Sequence, residues 1–170
     1  FYRRLDDVRD DYFDALIVTG APVETLDFDQ VAYWDELKEI YEWSKSHCFR
    51  RLGICWGAQA LMKLAYDVPK FTMDDKLFGV FRHNLAPDAG RLLHGFTQEF
   101  PMPVSRYTMN MKSDIDAAGL RVLAESDEVG IGMVRCETTQ DLFVLNHLEY
   151  DAQTLAAEYE RDAKEGLDTK

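Results

Sequence analysis

Hydrophobic and polar positions along the chain change period several times, and each change marks an element. The run Asp14-Ala15-Leu16-Ile17-Val18-Thr19-Gly20 is almost wholly apolar and ends in glycine, which predicts a buried strand of parallel type. Residues before it, Phe1 to Asp10, read as the end of a helix or its connector. Ala21 to Gln30, with Pro22 and several acids, reads as a loop. From Val31 to Ser46 the period lengthens: Tyr33, Trp34, Leu37, Ile40, Tyr41 and Ser44 recur at helical spacing. Arg51 to Ile54 reads as the next strand, and Ala58 to Tyr66 returns to a helical pattern. Strand, helix, strand, helix at this rhythm predicts an α/β sheet with crossover helices.

The second half reads differently. Leu77–Arg82, Leu120–Glu125, Val129–Cys136 and Asp141–Asn146 predict strands joined by turns, able to form an antiparallel edge or to return to the main sheet. Asp151 is placed to cap a last helix over Ala152–Gly166, with Leu155, Tyr159 and Ala163 along its apolar stripe and its acids facing water. The expected fold is therefore α/β, an open and mostly parallel sheet flanked by helices. No repeat, low-complexity tract or linker divides residues 1–170, which read as one domain.

Composition narrows the function. At 170 residues and 46% hydrophobic the chain can build a core. A net charge of −12 argues against nucleic acid as a partner, because such affinity comes from neutralising phosphates. Three cysteines without a C-x-x-C pair suggest a reducing compartment, no zinc site and no bound metal. With no signal peptide and no membrane-spanning run in the sequence, the expected location is the cytoplasm. The chain opens without methionine, in an amphipathic segment, so it is expected to be part of a longer protein.

The chemistry concentrates at Gly53-Ile54-Cys55-Trp56-Gly57, where the second strand runs straight into the second helix. A nucleophile on such a turn needs small neighbours, because backbone and substrate both approach closely there. Free amides at the start of the helix should lower the thiol's pKa and hold a developing oxyanion. Cys48 and Cys136 lack the glycine-flanked turn and read as core residues. The base follows from the strand Leu142-Phe143-Val144-Leu145, which ends in His147-Leu148-Glu149. Side chains two apart at a strand end point the same way, so Glu149 can orient the His147 imidazole. His47, His83 and His94 sit in polar or loop-like contexts and read as surface histidines. Ligands in open α/β sheets bind beyond the carboxyl ends of the strands, which gathers Cys55, His147, Glu149 and the Gly20–Glu24 loop into one site.

Several blocks in order now carry a resemblance: Phe13 through Pro22, Val31-Ala32-Tyr33-Trp34, Glu42-Trp43-Ser44-Lys45, Cys55-Trp56 with Gln59-Ala60, Ser105-Arg106-Tyr107, and His147-x-Glu149 through Leu155. Over nearly its whole length the chain resembles the homoserine O-acyltransferases, also called homoserine transsuccinylases, which share a flavodoxin-like, class I glutamine amidotransferase-like fold. The resemblance implies Cys55 as the nucleophile taking the acyl group from acyl-CoA, His147 as base and Glu149 as its partner. It implies Lys76, Ser105 and Arg161 along the amino-acid acceptor site. Glu24 matches a position tied to donor choice, where glutamate accompanies acetyl-CoA and glycine accompanies succinyl-CoA. Backbone amides near Trp56 and Val23 are the expected oxyanion donors.

The activity this resemblance implies is an acetyl-CoA-dependent acyl transfer to L-homoserine, in methionine biosynthesis, with acetyl-CoA as co-substrate and no bound cofactor. The family's usual Gly-His-Pro-Glu is here Asn146-His147-Leu148-Glu149, and family members extend beyond both ends of this chain. L-serine as acceptor, succinyl-CoA as donor, glutamine amide transfer and a non-catalytic fragment remain alternatives. The expected partners are small molecules, with no membrane, and a homodimer stays open.

Overall fold

The structure is a computed structural model and describes residues 2–87 and 89–166. Its centre is a sheet of seven strands among the described residues, in the order β1-β2-β7-β6-β5-β3-β4. The strands are β1 (Phe13–Val18), β2 (Cys48–Ile54), β3 (Phe71–Leu85), β4 (Glu99–Met109), β5 (Arg121–Ser126), β6 (Gly130–Arg135) and β7 (Leu142–Val144). The helices are α1 (Trp34–His47), α2 (Trp56–Tyr66), α3 (Lys112–Ala117) and α4 (Thr154–Lys164). Every element expected from the hydrophobic pattern between Asp14 and Gly166 is present; the segment before β1 holds only a short 3-10 turn, Leu5–Val8, and Phe1 lies outside the described residues.

The open α/β sheet is as expected, but its parallel part is confined to β1, β2 and β7. The pairs β7–β6, β6–β5, β5–β3 and β3–β4 are antiparallel. β1 and β2 are joined through the 14-residue α1, the kind of crossover a parallel pair needs, whereas β5, β6 and β7 follow one another through connections too short for a parallel return.

Two elements escaped the sequence pattern. β4 carries Pro101 and Pro103, residues that interrupt a sheet ladder. Both are tolerated because β4 pairs on one side only, with β3. The carbonyl of Pro103 turns away from β3 and accepts the His147 N–H at 2.9 Å, so the proline nitrogen on that side has no ladder bond to lose. The six-residue α3 is too short to show a period. β1 also departs from the expected buried strand. It lies on the sheet edge, and Phe13 and Ile17 are largely exposed.

α2 is buried on almost all sides, from Trp56 to Met62, and holds the core together. Ala58, Leu61 and Met62 pack with Tyr41, Ile115, Val134 and Phe143; Trp56 and Ala60 pack with Val31, Trp34 and Leu37. A separate cluster contains Met102, Leu123, Met133 and Val144. Neighbours Phe143 and Val144 fall into different clusters, as the period-two alternation of a strand covered on both faces requires.

One buried ion pair ties the parallel strands. Asp141, entering β7, accepts from the Arg51 N–H and from Arg51 Nε, both at 2.9 Å, and from Thr139 Oγ1 at 2.7 Å. Both charges are almost wholly out of water. Asp141→Ala would strand the guanidinium, so we expect a loss of about 3–5 kcal/mol in urea unfolding. A loss under about 1 kcal/mol would show that water reaches Arg51.

Candidate active site

The turn between β2 and α2 is built by sterics. Cys55 has φ 53° and ψ −122°, a conformation costing about 1–3 kcal/mol for a residue with a Cβ. The surroundings impose it. The Cys55 N–H donates to the Val144 carbonyl at 2.8 Å, and the Cys55 carbonyl accepts from Ala58 N–H at 3.0 Å. A Cβ on Gly53 would lie 2.4 Å from the Ala58 Cα, and one on Gly57 would lie 2.1 Å from the Val18 carbonyl oxygen. Both flanking glycines are thus required by the close approach of α2 to the strand ends.

The same turn aims Cys55 into a cavity of about 750 Å³. Gly20, Glu24, Lys76, Ser105, His147, Glu149, Glu158, Arg161 and Asp162 line it as well. A methyl group on Gly20 would sit 3.7 Å from Cys55 Sγ and 3.7 Å from His147 Cε1, so both side chains border the same small space. His147 Nδ1 donates to Glu149 Oε1 at 2.7 Å, which leaves Nε2 as the accepting nitrogen. The ring stacks on Tyr150 at 4.2 Å between centroids, and its backbone is pinned to Pro103. The three expected catalytic residues therefore meet in one place.

The helix amide does not prevail at the Cys55 thiol, contrary to expectation. Burial pushes it up to about 12; the Trp56 N–H and Arg106 pull the other way and lose. A thiol so held is protonated at neutral pH and needs a base to react.

On the opposite wall of the cavity, α4 supplies groups that the sequence pattern assigned to solvent. Its inward stripe is Leu155, Glu158 and Asp162, at i, i+3 and i+7, while Tyr159 and Ala163 face out. Counting from Leu155 by three and seven, as readily as by four and eight, was the signal available. Lys76 lies in an irregular stretch of β3, between Thr72 and Leu77, that loops out opposite β4 and carries it into the cavity. Its Nζ donates to Asp162 at 2.5 Å and Glu158 at 3.1 Å. Ser105 Oγ and Tyr150 OH also donate to Glu158, at 2.5 Å and 3.0 Å. Burial works against the Glu158 carboxylate, yet Ser105 and Lys76 hold it below the usual range. Arg161, largely exposed, donates to Asp162 at 2.7 Å. α4 begins at Thr154, later than expected, with Gln153 at the N-cap position; Asp151 Oδ1 holds the preceding turn, accepting from the N–H groups of Gln153 and Thr154 at 2.9 Å.

The two expected oxyanion donors differ. The Trp56 N–H lies beside the Cys55 thiol and acts to lower its pKa, whereas the Val23 N–H is committed to the Ala21 carbonyl at 2.8 Å. Val23 itself packs against the cluster that contains Trp56.

His83 corrects another expectation: it is fully buried, not a surface residue. The Phe81 carbonyl can only accept, so His83 Nδ1 donates to it at 3.0 Å and Nε2 accepts from Asn146 Nδ2 at 2.8 Å. Asn146 Oδ1 in turn accepts from Arg106 Nε at 3.3 Å. This neutral histidine thus anchors the residue preceding His147. Burial lowers its pKa, and Arg106 lowers it further. The unfolded chain therefore binds this proton first, and stability is lost as pH falls below about 6.5 toward the lower folded value. We expect His83→Gln to flatten that part of the stability profile in urea titrations between neutral and mildly acidic pH; an unchanged slope would contradict the assignment.

Among the described residues, no group of three or more His, Cys, Asp or Glu side chains could hold a metal ion, and no helix is long and apolar enough to cross a membrane.

Comparison with known proteins bears on the fold and the family. A glutamine amidotransferase from Thermotoga maritima superimposes with a TM-score of 0.73 at 14% identity, covering 99% of this chain and 70% of that one. A glutamine amido transferase from Methylobacillus flagellatus gives 0.70 at 17% identity, over 91% and 59%. Such identities carry the fold alone. Among curated proteins, homoserine O-acetyltransferase from Clostridium novyi is 46% identical over 169 residues, 99% of this chain and 56% of that protein. The protein of the same name from Roseobacter denitrificans is 46% identical over 168 residues, 98% and 55%. The chain thus spans a little over half the length of these relatives. The family model for homoserine O-succinyltransferase matches residues 1–170. Matched from end to end by that model, and nearly half identical to those relatives, the chain belongs to the homoserine O-succinyltransferase family.

Proposed function

We infer that this site moves an acetyl group from acetyl-CoA to the side-chain hydroxyl of L-homoserine through a thioester on Cys55. The carrying observation is the strained Cys55 turn facing His147–Glu149 in a cavity that Glu24 also lines. His147 Nε2 takes the Sγ proton as sulfur attacks the acetyl carbonyl, and the bond to the CoA sulfur breaks. CoA leaves with the proton that His147 carried. His147 then takes the homoserine hydroxyl proton while that oxygen attacks the thioester, and Sγ departs and is reprotonated. The Trp56 N–H faces the developing oxyanion. A Val23 contribution needs its bond to Ala21 to open first.

The acceptor side supports a zwitterion. Lys76 and Arg161 carry positive charge beside the carboxylates of Glu158 and Asp162, so one wall offers partners for an ammonium and a carboxylate together. This reading keeps Lys76, Ser105 and Arg161 as acceptor-side residues and adds Glu158. Small-molecule substrates and a cytoplasmic biosynthetic role follow from it.

The test is a product assay with acetyl-CoA or succinyl-CoA, L-homoserine or L-serine, and separately with glutamine. O-acetylhomoserine as the main product is expected. The same elbow and His-x-Glu unit suit glutamine hydrolysis, and the fold neighbours bear that name, so ammonia released from glutamine would overturn the reading. Opening the donor pocket by Glu24→Gly is expected to shift the succinyl-to-acetyl ratio of kcat/KM upward by about ten- to a hundredfold. An unchanged ratio would remove Glu24 from donor selection.

A further inference from the structure

We propose that Glu24 stands in the acyl pocket as a neutral carboxylic acid, its proton fixed by a one-way hydrogen-bond relay running from the Pro69 carbonyl through Asn110, Gln59 and Thr108. At the far end of the relay the Pro69 carbonyl can only accept. It lies 2.7 Å from the Asn110 amide, so the group facing it is the Asn110 NH₂. Asn110 Oδ1 therefore faces Gln59, which must present its own NH₂, at 3.2 Å. Gln59 Oε1 is then the atom facing Thr108 Oγ1, at 2.9 Å, and it takes the only hydrogen that hydroxyl has. Thr108 Oγ1 also lies 3.1 Å from Glu24 Oε2, and with its hydrogen spent it can only accept there. Glu24 Oε2 must supply the proton, while its lone pair accepts the Tyr107 N–H at 3.0 Å. An ionised Glu24 would set two oxygens against each other without a hydrogen between them.

The relay members are out of water: Thr108, Gln59 and Asn110 are all buried. The irregular stretch of β3 leaves Tyr107 without a register partner there, which frees its N–H for Glu24. Lys76 from β3 and Arg106 from β4 face the carboxyl and favour its ionised form, and the Cys55 thiol faces it from the α2 turn. Lys70 bonds the Glu24 main-chain carbonyl. Burial raises the Glu24 pKa, in the direction the relay requires, and outweighs the Tyr107 N–H, the Thr108 contact and both cations, which all act to lower it.

This deepens the acyl-transfer reading and rests on it for its consequence. A neutral acid puts no negative charge beside the reacting sulfur, where a charged one would oppose the thiolate. Donor choice then comes from occupied space and not from charge repulsion: a short uncharged acyl group fits, and a distal carboxylate meets a filled, uncharged wall.

The test follows the glutamate carboxyl-carbon NMR resonances of the ¹³C-glutamate-labelled protein through a pH titration, with Glu24→Ala assigning the signal. The expected wild-type result is a Glu24 carboxyl still protonated at neutral pH. Gln59→Leu removes the acceptor and frees the Thr108 hydrogen for Glu24. Asn110→Leu lets the Gln59 amide reverse and donate to Thr108, which frees the same hydrogen from the far end. In each folded variant the Glu24 titration should move down by about one pH unit or more, a tenfold change in ionised fraction. An ionised wild-type Glu24 at neutral pH, or a folded variant that leaves its titration in place, overturns the proposal. The readout needs no turnover: absence of acyl transfer with the shift intact would strike the reaction assignment and leave the relay standing.

Discussion

Cys55→Ala is expected to reduce acyl transfer by about four orders of magnitude or more while leaving the fold and substrate binding in place. The size follows from the route. Without Sγ no covalent acyl enzyme can form, and the amide and imidazole that remain can only assist direct transfer. His147→Ala should cost a comparable factor, because a thiol pushed up to about 12 supplies almost no thiolate on its own. The double variant should be hardly worse than either single one, since the two residues act as a unit. Steady-state rates of product formation, beside a binding measurement for acyl-CoA, check both points. A residual rate within tenfold of wild type in Cys55→Ala would mean that another group carries the chemistry.

Gly57→Ala is expected to have the largest effect on folding. The added methyl would lie 2.1 Å from the Val18 carbonyl oxygen, 2.6 Å from its carbon and 2.7 Å from the Thr19 oxygen. All three are backbone atoms at the end of β1, held by pairing with β2, so neither partner can yield without separating α2 from the sheet. Overpacking of this kind costs about 3 kcal/mol or more, a large share of the stability of a domain this size. Gly119→Ala is the control: its φ of 69° is strained for alanine, but nothing lies within 4 Å of the new methyl. Its cost should stay near 1 kcal/mol. Urea unfolding of the two variants should separate them clearly, and equal midpoints would contradict the steric account of the turn.

The catalytic turn was legible because sterics write it into local sequence: a cysteine between two glycines, at the junction of an apolar run and a helical one, has few other reasons to exist. His147 and Glu149 were legible by the strand rule that places i and i+2 together. The acceptor wall was harder. Glu158 and Asp162 look like solvent-facing acids until Lys76, 82 and 86 residues away, bonds both, and no local period contains that partner. β4 was hidden by its prolines, which an edge strand tolerates and a central one does not. His83 looked polar in context, yet its partners are the Phe81 carbonyl and Asn146, one two residues away and the other sixty-three. The strand directions in the second half depended on connections whose geometry composition does not encode. The thiol pKa was misjudged for a related reason: helix amides are a local feature, but the burial that overrides them comes from the assembled cavity.

The central claim is a covalent acyl group on Cys55, and intact-mass measurement after incubation with acetyl-CoA tests it most directly. One added acetyl per chain, mapped to Cys55, removed by L-homoserine and absent in Cys55→Ala, is the predicted result. A folded protein that takes up no acetyl group, or one that takes it up equally well in Cys55→Ala, would contradict the account.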